Sequence, residues 1–173
     1  SIKPDVSILF WGKAPHYINM SLDSLCESVN ILINSIESLE ELQTRAFSRE
    51  LGVIMHYITD YFCRVHNNIN GIAHPEKLKH IVYEQRFQKS LEIYELEILR
   101  EKNLLKEEEA IEGIRNTSLK MYLLHEHNKY MKEAGKLYFY DNIEKKRLID
   151  MKYSFCTSLD VASYVMDKCL KNF

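Results

Sequence analysis

No stretch of this chain approaches the roughly 18 consecutive apolar residues that a membrane-spanning helix needs, and its mean hydropathy of −0.31 is that of a soluble protein. It has no basic surplus. Lys and Arg number 23 against 25 Asp and Glu, a formal net charge of −2, so binding to nucleic acid by phosphate neutralisation is not favoured. Like-charge runs reach no more than three residues, and Glu107-Glu108-Glu109 is a helix-start or solvated-loop feature rather than an acidic tail. The four cysteines, Cys26, Cys63, Cys156 and Cys169, show no C-x-x-C clustering and fall within apolar helical patterns. Buried thiols in a reducing compartment are expected, not disulfides. No signal peptide is visible, and the expected setting is cytoplasmic. Strand-period alternation, internal repeats and low-complexity linkers are all missing as well.

What is there is helix. The chain has 173 residues, 46% of them hydrophobic, enough for one domain (1–173) with a proper core. Residues 1–14 carry Pro4 and Gly12 without periodicity and read as an extended entry segment. Pro15 suits the first turn of a helix over about 15–36, where a missing N–H costs nothing. Its apolar stripe is Ile18, Leu22, Leu25, Val29 and Leu32 or Ile33. A charged connector over 37–43, able to form helix, precedes a helix over about 44–65 with core positions Phe47, Leu51, Ile54, Ile58 and Tyr61 or Phe62. Gly52 inside that helix costs about 1 kcal/mol against Ala, and close approach of another backbone or room for a metal cluster would explain it. Further helices are expected over 75–102, 107–133 and 142–171, with Gly135 beginning a break. The fold class is all-α, a bundle of five to six helices.

The most informative stretch reads HYITDYFCRVHNNINGIAHPEKLKHIVYE from His56 to Glu84. His56 and Asp60 are four apart, as are His80 and Glu84, and on a helix such pairs lie one above the other. Each pair can grip one metal ion from adjacent turns. His66 would lie on another face if the helix continued, but Asn67-Asn68 and Gly71 suggest that it ends nearby. That frees His66 to turn toward the second pair. Three imidazoles and two carboxylates suit zinc, which takes N and O ligands. A lone His-x-x-x-Asp pair is more often an ordinary hydrogen-bonded pair; two of them with a His between argue for metal. His125 and His127 stand two apart, cannot share a helix face, and read as solvent-exposed. Cys63, one turn after Asp60, raises the question of a thiolate ligand, but the site is already supplied. Tyr17, Tyr57 and Tyr83, beside these residues, read as core or as the wall of a cleft.

The order His56, Asp60, His66, His80, Glu84, with these intervals, resembles the zinc-dependent phospholipase C family, whose wider superfamily includes single-strand nucleases. The resemblance implies an all-α fold and a zinc cluster, and it covers about the first ninety residues. By resemblance, Asp5, His16, His56 and Asp60 would hold one zinc, and His66, His80 and Glu84 a second. The family's third zinc takes an N-terminal Trp and a nearby His. Here Trp11 is internal and no His precedes His16, so two Zn2+ are expected and a third would need ligands from upstream of Ser1. Val65 stands where many relatives have Pro.

Such a site implies hydrolysis of a small-molecule or lipid phosphodiester by a metal-activated water. Asp5 would be the catalytic carboxylate, orienting the water or taking its proton. Nucleic acid is a less favoured substrate, and transient contact with a membrane surface fits a lipid one. The alternative is a non-catalytic helical domain that keeps a structural or degenerate metal site.

Overall fold

The computed structural model describes residues 17–67, 83, 85–87, 89, 104–137 and 143–173, with backbone alone for 104–108. Helices make up nearly all of this, and no strand occurs among the described residues. In chain order they are α1 (Ile18–Ser35), α2 (Leu39–Leu42), α3 (Arg45–Tyr61), a 3-10 turn (Arg64–His66), α4 (Leu104–Thr117), α5 (Leu119–Lys136) and α6 (Ile143–Leu170). Residues 83, 85–87 and 89 are also helical, within the expected 75–102 helix, the rest of which lies outside the described residues.

The apolar stripes bury as their spacing requires. On α1, Leu22, Leu25, Val29 and Leu32 pack inward; on α3, Phe47, Ile54, Ile58 and Tyr61 do the same. Tyr57 joins them in the core, and Leu51 is only partly covered. The organising element is α6, 28 residues long, or about 42 Å at the helical rise. It packs against α1, α3, α4 and α5. Its inward stripe is Asp150, Ser154, Thr157, Val161, Val165 and Cys169. The steps of three and four are those of one helix face, but the stripe begins with an acid.

Two boundaries differ from the sequence expectation. The single helix over 107–133 is two helices, divided at Ser118, whose φ of 104° is rare for a residue with a Cβ. Ser118 N–H donates to Ile114 O, closing α4, while its Oγ accepts from Met121 N and caps α5. α5 ends at Lys136, one residue past the expected break at Gly135, whereas α3 ends at Tyr61, short of the expected 65. A Cβ at Gly52 would meet nothing within 4 Å, so among the described residues no close backbone approach accounts for that glycine. No disulfide joins Cys26, Cys63, Cys156 or Cys169. No described helix is long and apolar enough to cross a membrane.

Candidate metal centre

The candidate site is built where α3 ends. Thr44 Oγ1 accepts from Phe47 N at the helix start, and the far end closes at Tyr61 without glycine or proline. Phe62 N–H donates to Thr59 O and Cys63 N–H to Asp60 O. The chain then makes one 3-10 turn. Asn67 seals this exit, its Nδ2 donating to Tyr61 O at 2.9 Å and to Cys63 O at 2.8 Å. The Tyr61 carbonyl is one a helix end leaves unmet, and the Cys63 carbonyl, which also accepts from His66 N–H, belongs to the turn that follows. The result folds His66 back over the last turn of α3.

There the two imidazoles meet one carboxylate. His56 Nε2 lies 3.4 Å from Asp60 Oδ2, and His66 Nε2 lies 3.5 Å from Asp60 Oδ1. Asp60 and His66 are buried, whereas the His56 side chain is 58% exposed, so the set opens to solvent on the His56 side. Tyr17 meets the His66 ring edge-on and Tyr57 meets His56 the same way. Ser21 donates to Tyr17 O and lies 2.8 Å from Tyr61 Oη, tying the start of α1 to the end of α3.

The separations bear on a metal. Both exceed the usual N–H···O distance of about 2.7–3.2 Å. Two ligands about 2.0–2.2 Å from a tetrahedral zinc lie roughly 3.3–3.6 Å apart, and the His56–Asp60 pair, expected on one ion, falls in that range. The donor types, imidazole nitrogen and carboxylate oxygen, are also those zinc takes. Asp60 thus forms two donor pairs, one through each oxygen. Among the described residues no group of three or more such side chains converges. Asp5, His16, His80 and Glu84, the remaining sequence candidates, lie outside the described residues.

The structure also reveals residues that the sequence reading passed over. Arg64, inside the 3-10 turn, reaches Asp150 on α6. Its Nε and one terminal nitrogen donate to the two carboxylate oxygens at 3.0 Å each, and its backbone N–H donates to Oδ2 at 3.1 Å. The same terminal nitrogen donates to Lys146 O. Tyr130 Oη donates to Asp150 Oδ1 at 3.1 Å, and Tyr83 Oη donates to Oδ2. Burial raises the Asp150 carboxyl above its ordinary value, and the Arg64 charge opposes that rise. Desolvation is the largest single influence on the guanidinium and works to lower its pKa, but the Asp150 charge, Tyr83 and the hydrogen bond to Asp150 together outweigh it and the shift is upward.

His127 is the second correction. His125 is exposed as expected, but His127 turns inward among Phe62 and Tyr130. Its Nε2 donates to Asn67 Oδ1 at 2.8 Å, completing the bonds of the residue that seals the exit. Desolvation lowers this imidazole from 6.5 to about 4. The unfolded chain therefore takes up a proton below pH 6.5 that the fold refuses until about pH 4. Stability should fall as pH drops through that window, by at most about 3 kcal/mol and less for the part of the ring that water reaches. Urea midpoints between pH 7 and 4.5 check this: His127→Gln, which keeps an N–H donor, should flatten the decline.

The described residues thus form an all-α fold in which the Asp60 carboxylate lies between the imidazoles of His56 and His66 at a helix exit. The family model described as zinc dependent phospholipase C matches residues 1–171, and the chain belongs to that family. No curated protein and no solved structure matches it.

Proposed function

We propose that this chain is a zinc-dependent phosphodiester hydrolase with phospholipase C-like chemistry. The observation that carries the reading is the Asp60 carboxylate with an imidazole nitrogen 3.4 Å and 3.5 Å from its two oxygens, in a chain whose family is zinc-dependent. His56 and Asp60, with Asp5 and His16, would hold one ion; His66, His80 and Glu84 would hold another. When bound, zinc supplies Lewis acidity, bringing a water's pKa toward neutrality and offsetting charge on the phosphoryl oxygens. The imidazoles bind through their lone pairs, so they serve as ligands and not as proton carriers. Asp5 is the carboxylate proposed to orient the attacking water or accept its proton. The exposed flank of His56 is where substrate would enter.

The family's name makes phospholipid the first substrate class to try, with transient membrane-surface contact. Smaller phosphodiesters follow, and nucleic acid is not favoured. A chromogenic phosphodiester and short-chain phosphatidylcholine, each assayed with and without chelator, test this. Hydrolysis that a chelator abolishes and added Zn2+ restores is expected. Hydrolysis that survives complete zinc removal contradicts the mechanism, and zinc retained without any turnover favours a non-catalytic metal domain.

A further inference from the structure

One residue joins α4 to α5. α4 ends at Thr117 and α5 begins at Leu119, with Ser118 alone between them. The hydrogen bonds on either side already keep helical register. Ser118 N–H donates to Ile114 O at 2.9 Å, and Tyr122 N–H donates to Ser118 O at 3.0 Å. These are the i to i−4 bonds of an unbroken helix. What interrupts the helix is one dihedral pair, φ 104° and ψ 152°, a region that suits glycine and strains a residue with a Cβ. No Gly or Pro stands between Gly113 and Gly135, so the residue types here do not oppose an unbroken helix. The bend is held by packing. It lets Ile114 of α4 and Leu119 of α5 bury in one core, and both helices pack on α6.

We propose that Ser118 is a hinge for reciprocal exchange between two copies of this chain. In the exchanged dimer Ser118 takes helical dihedrals, and α4 runs into α5 as one helix. The contacts of the closed monomer are kept, but those of α1, α3 and α4 with α6 are made between copies. Two effects favour this state. Strain at each Ser118 is released, and the N–H groups of Leu119, Lys120 and Met121 gain the carbonyls of Arg115, Asn116 and Thr117. Against this stand the loss of the Ser118 Oγ bond to Met121 N–H and the entropy of pairing two copies, so exchange grows with protein concentration. Short connections under strain invite such exchange.

The test is refolding from urea at low and high protein concentration, with the products sized by gel filtration and light scattering. Two variants isolate the strain, since both lose the hydroxyl. Ser118→Gly accepts the positive φ and favours the bent monomer. Ser118→Ala keeps the Cβ and favours helix. At one concentration the dimer-to-monomer ratio should be at least about tenfold higher in Ser118→Ala than in Ser118→Gly, with the parent between them. The Leu119 and Lys120 amides should exchange hydrogen at least about tenfold more slowly in the isolated dimer than in the monomer, because an unbroken helix bonds both. If Ser118→Ala fails to fold, Ser118→Gly against the parent gives the same comparison. Equal ratios in the proteins that fold, or no dimer in any of them, overturn the proposal. So does a dimer whose Leu119 and Lys120 amides exchange as fast as the monomer's.

Discussion

Asp60→Ala should remove zinc and hydrolysis together. The His56 and His66 imidazoles both approach its carboxylate, through different oxygens. Deleting it strips one proposed ion of a ligand and removes the partner that faces His66. The expected loss of affinity exceeds the roughly 10- to 100-fold typical of an outer partner, and hydrolysis falls with it. Asp60→Asn is the sharper comparison. It keeps the shape and one oxygen but loses the charge, so weak zinc binding with slow turnover is expected. Metal content by elemental analysis, beside kcat/KM and far-ultraviolet circular dichroism, separates loss of the site from loss of the fold. Activity that persists after the metal is gone would contradict the account.

The largest effect on stability is expected at Asp150. Removing one partner of a buried ion pair leaves the other charge uncompensated, at a cost of about 3–5 kcal/mol. Here Asp150→Ala would strand the Arg64 guanidinium and two phenols in the interior. For a chain of this size that corresponds to a fall in Tm of about 6–20 °C. Removing both charges, Arg64→Met with Asp150→Leu, should cost much less than the sum of the single changes, because no charge is then left buried. A thermal melt of the two single variants and the pair measures this coupling. Additive losses would mean that the two side chains do not act as a pair.

The helical frame was legible in the sequence because burial follows periodicity. Leu22, Leu25 and Val29 repeat at three- and four-residue steps and bury together, as do Ile54, Ile58 and Tyr61. An exit near Asn67 was legible as well, since Asn is a residue that satisfies helix ends with its side chain, although the helix stops at Tyr61, short of the expected 65. The division at Ser118 was not, because φ of 104° at a serine has no signature such as glycine or proline. The end of α5 was legible at Gly135, since the helix stops at Lys136, one residue past it.

Asp150 is the instructive miss. It heads the inward stripe of α6 at the correct spacing, yet an acid at the end of an apolar face reads as solvated until its partner is known. That partner, Arg64, lies 86 positions away, and no local pattern joins the two. His127 was passed over on similar grounds, because Asn67 comes to it from another helix's end. Of the candidate site, the pairing of His56 with Asp60 followed from helix geometry alone. The approach of His66 to the same carboxylate required the turn.

Anomalous scattering at the zinc edge, from crystals of the zinc-loaded protein, tests the central claim most directly. The account predicts a peak about 2.0–2.2 Å from both His56 Nε2 and the Asp60 carboxylate, with a second bound by His66 Nε2. Well-ordered crystals with no anomalous peak at this carboxylate, or with zinc bound only elsewhere, would contradict it.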